Sequence, residues 1–310
     1  YIIILLMSRG VQAIQYHEAV PINNKEGGYG EYTTVDFELL APARKLLKNS
    51  ITIEGICNVR RDGADPVAIA DEIKIENKIG FHAFFESWSC EGRAQVLENI
   101  QDYPRYVNLV SSATLDNDDL LTAFYQAEGR QLVEDAGRYV IQPYNCRQIN
   151  GANIINETPD FAIKPKICFN SMMGDDYSFD KNGYIKISTN LARNGQALFG
   201  SGNVAATDYV LTDVVCRFIT IPDDGKQAPM LMNSCIGVKS SINSQVSNIV
   251  ARVPAQAVNG VVVSFINQAN ENDITKNSYK LEKMPLIDEV QYLFADSTNK
   301  YITYVINDHN

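Results

Sequence analysis

The sequence predicts an all-β protein, either a two-sheet sandwich or a barrel. Three observations predict it. Apolar residues recur at every second position through several runs, turn chemistry separates those runs at short intervals, and no βαβ rhythm runs along the chain.

The elements follow in order. Residues 1–32 carry little periodicity and end in Gly27-Gly28-Tyr29-Gly30, which predicts an extended arm leading to a flexible hinge. In Ser50 to Val59, Ile51, Ile53, Cys57 and Val59 share one face of a strand. Val67, Ile69, Ile73 and Ile75 alternate in the next run, and Phe161, Ile163, Ile167 and Phe169 in another, where Pro165 predicts an edge strand or a bulge. Ile185, Ile187 and Leu191 mark a further strand. Tyr209 to Ile221, Asn259 to Asn267, Glu289 to Phe294 and Tyr301 to Ile306 are β-rich with weaker alternation, as strands buried on both faces are. Turns are predicted at Asp62-Gly63, Asn182-Gly183, Asn194-Gly195, Gly200-Ser201-Gly202 and Asp223-Asp224-Gly225. One helix is predicted from an acidic cap at Asp116 to Asp119, through Leu120, Leu121, Phe124 and Ala127, to a stop at Gly129. A weaker helical pattern runs from about Ser240 to Arg252.

Composition excludes several functions. Hydrophobic residues make up 45% of the 310, enough for a substantial core. The net charge of -10 suits phosphate backbones poorly, so direct nucleic-acid binding by the folded body is not expected. Tyr1 to Leu6 are apolar but too few to span a bilayer, and they lack the marks of a signal peptide; Met7-Ser8-Arg9-Gly10 reads as a more natural start. The six cysteines, Cys57, Cys90, Cys146, Cys168, Cys216 and Cys235, include no C-x-x-C pair, so buried free thiols are expected instead of a disulfide scaffold or zinc site. The Asn156 to Thr158 triplet carries no weight without a secretory signal.

A search for chemistry returns little. Of three histidines, His17 and His309 lie near the termini, and His82 precedes the apolar run Ala83-Phe84-Phe85, where a structurally satisfied histidine is expected. No nucleophile elbow, phosphate loop or H-E-x-x-H motif occurs. Ser178, Asp180, Asn182 and Gly183 echo a calcium loop, but Thr189 stands where a bidentate Glu belongs, so a plain tight turn is expected; Asp175, Asp176 and Asp180 leave room for an adventitious calcium ion. No catalytic, cofactor-binding or metal-binding residues are therefore assigned. Trp88, the only tryptophan, reads as core or interface, with an exposed sugar-stacking cluster as the alternative. Arg60-Arg61-Asp62-Gly63 reads as a solvated hairpin tip.

Several segments together carry a resemblance. They are Val35-Asp36-Phe37-Glu38-Leu39, Leu46 to Gly55, His82-Ala83-Phe84-Phe85-Glu86-Ser87, Val96 to Ile100 with Tyr103 to Val107, Gly183 to Ile187, Gln196 to Gly200 and Tyr209 to Val214. In this order the series resembles the penton (minor capsid) proteins of virophages and of the related Polinton or Maverick elements. The resemblance implies a single jelly-roll barrel of the viral capsid type with an inserted outer domain and few short helices. It implies a structural role at the vertices of an icosahedral virion, as a homopentamer beside major-capsid capsomers, with no catalytic residues and no cofactor. The outer domain would be open to a host receptor or a fibre, and the protein would be made in the host cytoplasm or a virus factory.

A jelly roll takes roughly 150 to 200 residues, which leaves room for an insertion of about 100. The expected division is an arm at 1–32, the roll at 33–222, an inserted domain at 223–300 with 116–157 as the alternative, and a return strand at 301–310. Other readings are a major-capsid jelly roll in hexameric capsomers, a jelly-roll lectin or attachment protein, and a two-carboxylate glycosidase, for which no spacing singles out a pair. An enzyme is not expected.

Overall fold

The computed structural model describes residues 13–61, 72–76, 78–92, 95–114, 128–129, 131–135, 138–142, 144–145, 148–150, 153–155, 160–171, 176–201, 206–226, 235–237, 239–242, 263–280, 289–294 and 300–305. Its strands in chain order are β1 (Gln15–Ala19), β2 (Thr34–Leu39), β3 (Arg44–Leu46), β4 (Thr52–Arg61), β5 (Glu72–Ile75), β6 (Phe85–Gly92), β7 (Gln95–Ile100), β8 (Gln131–Asp135), β9 (Arg138–Gln142), β10 (Tyr144–Asn145), β11 (Gln148–Asn150), β12 (Asn153–Ile155), β13 (Asp160–Ile163), β14 (Tyr177–Ser178), β15 (Ile185–Leu191), β16 (Phe199–Ser201), β17 (Thr207–Pro222), β18 (Glu289–Phe294) and β19 (Lys300–Val305). The one long helix among the described residues is α1 (Tyr103–Thr114).

Two sheets form the body. One runs β1-β17-β4-β13 and the other β2-β15-β6-β7, all antiparallel. The pairing is nested. β1 pairs with β17, β2 with β15, β4 with β13, and β6 with β7 at the centre. A long hairpin rolled up on itself gives this order, which is the jelly roll. The fold is therefore all-β, a single jelly roll with few short helices.

Alternation explains which side each strand buries. Val35, Phe37 and Leu39 of β2 point inward opposite Thr189, Ile187 and Ile185 of β15. Ile53, Cys57 and Val59 of β4 face Phe161 and Ile163 of β13 and Tyr209, Leu211 and Cys216 of β17 into the same core. A chain of rings crosses between the sheets: Tyr209 meets Phe84, Phe84 meets Phe81, Phe81 meets Phe161, and Phe161 leads through Phe85 and Trp88 to Tyr103. Each such ring contributes about 1.5 to 3 kcal/mol by burial, and more through edge and tilted contacts.

The N-terminal segment departs from the arm expected at 1–32. Residues 15–19 are the first strand of the roll, and Tyr29 continues along the same edge of β17 through its pairing with Leu211. Gln15 to Ala19 lacks an apolar alternation because backbone hydrogen bonds hold it. The expected hinge is a docked turn. A Cβ on Gly28, whose φ is +87°, would lie 2.6 Å from the Leu211 carbonyl oxygen, whereas nothing lies within 4 Å of one on Gly27.

Other expectations change at particular residues. The run Phe161 to Phe169 is a strand only to Ile163; after Pro165 it becomes a helical turn, Cys168–Ser171, fastened by Asn170, whose Nδ2 donates to the Pro165 carbonyl. The segment expected as a strand at 259–267 is irregular over 263–267, because Asn267 turns back to accept from the Ala269 N–H. Asn182 and Asn194 do not form two-residue hairpin turns but end and begin the helical turns Phe179–Asn182 and Asn194–Ala197. The helix expected at 116–129 lies outside the described residues except Glu128 and Gly129, as do 62–70 and 243–252. α1 lies upstream of the expected helix.

Among the described residues β17, ending at Pro222, is the last strand of the two sheets, and beyond it Ile236 makes a lone parallel bridge with Asn99 of β7. Of residues 301–310, expected as a strand returning to the barrel, 301–305 belong to β19, which pairs with β18, and 306–310 lie outside the described residues. Two stretches of the following chain lie on the body. Cys235 donates its N–H to Glu98 on β7, and Ser278 and Tyr279 accept through their carbonyls from Arg105 and Asn108 of α1. Between β7 and β13 lie α1, the hairpins β8–β9 and β11–β12, and β10, which pairs with β5.

Gly28→Ala should lower the unfolding free energy by about 2 to 4 kcal/mol in urea denaturation, and Gly27→Ala by only about 1 to 2 kcal/mol, because both carry the positive-φ cost but only Gly28 meets backbone.

Candidate functional site

The surface feature that stands out is the edge strand β1. Ile14, Tyr16 and Val20 lie along β1 and its flanks, exposed at 54%, 82% and 64%, with the exposed Ile22 in the turn that follows. Among the described residues β1 pairs only with β17, so its outer edge carries an apolar row beside open backbone. Most proteins blunt such an edge because it is a template for pairing. Polar groups flank it. Glu18 meets Arg217 of β17 at 3.4 Å, and Arg217 also meets Glu54 of β4 at 3.3 Å, a row across three strands. Half-exposed pairs of this kind contribute at most about 1 kcal/mol each and fade with salt.

The reverse face of β1 fixes the strand in place. His17 stacks on Phe218 with centroids 4.9 Å apart and bonds to the Thr220 hydroxyl at 2.8 Å. Arg44 donates to the same hydroxyl at 2.6 Å and to the Ala13 carbonyl. Partial burial, then Arg44, holds the His17 imidazole below its ordinary pKa. His17 is thus an ordered member of the roll, not a loose terminal residue. His309 lies outside the described residues.

His82 is enclosed. It sits in the 3-10 turn Gly80–Phe84 with no exposure. Its Nδ1 lies 2.9 Å from the Tyr103 hydroxyl and its Nε2 3.1 Å from Glu128 Oε1. The Lys166 N–H donates to Tyr103 and the Lys164 N–H to Glu128. This network fits an Nε2–H tautomer with Tyr103 donating to Nδ1. It joins the 3-10 turn, α1 and the segment after β13, and His82, Tyr103 and Glu128 are all buried.

The calcium echo also resolves into structure. Ser178 accepts from the Lys181 N–H, Asp180 from the Ala43 N–H and Asp176 from the Lys48 N–H, so these oxygens hold turns. Asp175 lies outside the described residues. Trp88 is fully buried against Phe85 and Tyr103, which removes the exposed sugar-stacking cluster. Arg60 and Arg61 belong to β4, and Arg60 meets Asp208 on β17 at 2.8 Å. Cys57, Cys90, Cys168 and Cys216 are buried and Cys235 partly so, with no disulfide among them; Cys146 lies outside the described residues. One group among the described residues could hold a metal ion: Cys90, Glu98 and Cys168.

The turn after β17 is fastened by charge. Lys45, buried on β3, bonds to Asp224 at 2.6 Å and lies near Asp223, which also accepts from the Ser178 hydroxyl. The Ser178 hydroxyl above all holds the Asp223 carboxyl below its ordinary range, and Lys45 does the same for Asp224.

No family model matches the chain, and no curated protein matches it. Solved structures with related strand arrangements include the virophage Sputnik by cryo-EM, 10% identical with a TM-score of 0.39 over 74% of this chain and 52% of that one. A second is PBCV-1 VP54 fitted into a reconstruction of Sputnik, 11% identical with a TM-score of 0.41 over 71% and 45%. A third is the Faustovirus major capsid protein, 9% identical with a TM-score of 0.44 over 72% and 57%. The chain spans about half the length of the chains it matches. The jelly-roll topology rests on this chain's own strand pairing.

Lys45→Met should lower the urea midpoint near neutral pH, because Asp224 loses its cation and Asp223 one of its two. Depressed carboxyls stabilise fully above their unfolded pKa of 3.8 and lose this as pH falls below it through the lower folded pKa, so the cost should shrink there, read as the difference between wild-type and variant urea midpoints.

Proposed function

We propose that this chain is a structural subunit of an icosahedral virus shell and that five copies ring each vertex. The observation that carries the reading is the apolar outer row of β1 on an open edge of a jelly roll. Jelly rolls assemble by packing sheet edges and loops against neighbours, and a closed ring needs two unlike patches that meet by rotation. The β1 edge supplies one such patch. The sequence resemblance to penton proteins favours the vertex. The ring would sit beside major-capsid capsomers in the virion, with the chain outside the roll open to a receptor or fibre. The alternative within the same class is a major-capsid subunit in six-fold rings.

Light scattering with negative-stain images across protein concentration tests this. Rings of five support the vertex; rings of six transfer the chain to the major-capsid role; a monomer at high concentration, alone and with capsid partners, overturns both. Tyr16→Arg should raise the concentration for half-assembly at least tenfold, or about 1.4 kcal/mol. Added salt should strengthen assembly, because it screens the net charge of -10 that sets copies against each other.

A further inference from the structure

We propose that Cys90, Glu98 and Cys168 form a binding site for one thiophilic divalent cation of the zinc class. The inference stands on core geometry and does not rest on the capsid reading.

Three different elements supply the donors. Cys90 on β6 and Glu98 on β7 are cross-strand partners with both side chains facing inward. Cys168 begins the helical turn that follows β13. The two sulfurs and a carboxylate oxygen all lie within 4.8 Å of one another, and all three residues are buried. A tetrahedral zinc ion with sulfur and oxygen ligands separates them by roughly 3.3 to 3.8 Å, so closing on a metal needs shifts of about 1 Å or less.

Backbone N–H groups already point at the carboxylate, although burial outweighs them and pushes its pKa up to about 6. Glu98 Oε2 accepts from the Cys168 N–H and Oε1 from the Cys235 N–H, each at 2.7 Å. These two amides fix the carboxylate while leaving it lone pairs for a cation. Charge balance is equally favourable. A dication displaces the two thiol protons, forms two metal–sulfur bonds and one metal–oxygen bond, and releases both protons to solvent. Two new thiolates and one dication cancel, so the buried site keeps the net charge of the lone carboxylate. The bound ion would tie the β6–β7 hairpin to the turn after β13. Spacing in the sequence hides the site, because 90, 98 and 168 fit no metal-ligand pattern.

The test is the full chain expressed in cobalt-supplemented medium and purified under reducing conditions. About one cobalt per chain and a near-ultraviolet thiolate-to-cobalt charge-transfer band are expected. Both should be lost in Cys90→Ser and Cys168→Ser and kept in Cys57→Ser, whose thiol lies on β4. If the serine variants do not fold, wild-type protein decides: adding zinc to the metal-free chain at pH 7 should release about two protons per ion. A wild-type chain with less than a tenth of an equivalent of cobalt and no proton release on zinc addition overturns the site. So does a band that survives in Cys168→Ser, or a Cys90–Cys168 disulfide in the unreduced mass.

Discussion

The structure depends on satisfying both edges of one strand. β17 is 16 residues long, and its N–H and C=O groups point sideways along its whole length. On one edge β4 covers Thr207 to Arg217 and β3 covers Thr220 to Pro222. On the other, β1 covers Cys216 to Thr220 and Tyr29 meets Leu211. The irregularity between Thr212 and Val215, with Asp213 at φ 51°, lets one strand serve partners of different register. A β17 left open on either side would carry unpaired backbone beside a hydrophobic core.

The polar groups inside the body follow the same logic. Glu98, His82, Glu128 and Asn170 are buried; Glu98, Glu128 and Asn170 hold irregular backbone that no sheet satisfies, and His82 ties Tyr103 to Glu128. Glu98 takes the amides of two segments, Glu128 takes that of Lys164, and Asn170 bonds to Ile51 on both its amide nitrogen and its oxygen. A jelly roll has many crossings between sheets, and each crossing leaves donors without ladder partners. Inward polar side chains there are scaffolding for loops. The outward apolar residues of β1 invert this pattern, which is why they draw attention as a contact surface and the buried histidine does not.

Legibility in the sequence tracked burial. β4, β15 and β17 alternate or run apolar because one or both faces are enclosed, and their positions follow from that. β1 is not legible because its inward residues, His17 and Ala19, are weakly apolar and only partly buried, while its outward Tyr16 and Glu18 are exposed. β6 was silent because its inward residues, Phe85, Trp88 and Cys90, change phase where the register shifts between Asn190 and Leu191. β2 did carry a signal in Val35, Phe37 and Leu39, but the run is short. The metal-ligand group is hidden because only the nested pairing brings residues 90, 98 and 168 together, whereas the β1 residues are neighbours in sequence and only their exposure is hidden.

The nesting also dictates an order of events during synthesis. The innermost pair, β6 with β7, is local and can form early. The outermost joins residues more than two hundred apart, as His17 and Thr220 are at a separation of 203. β1 must therefore wait, with its edge unmatched, until β17 has left the ribosome. Folding should be slow by the standard of its size, since so many contacts span the chain. Any assembly through the β1 edge would then be held back until the subunit is complete.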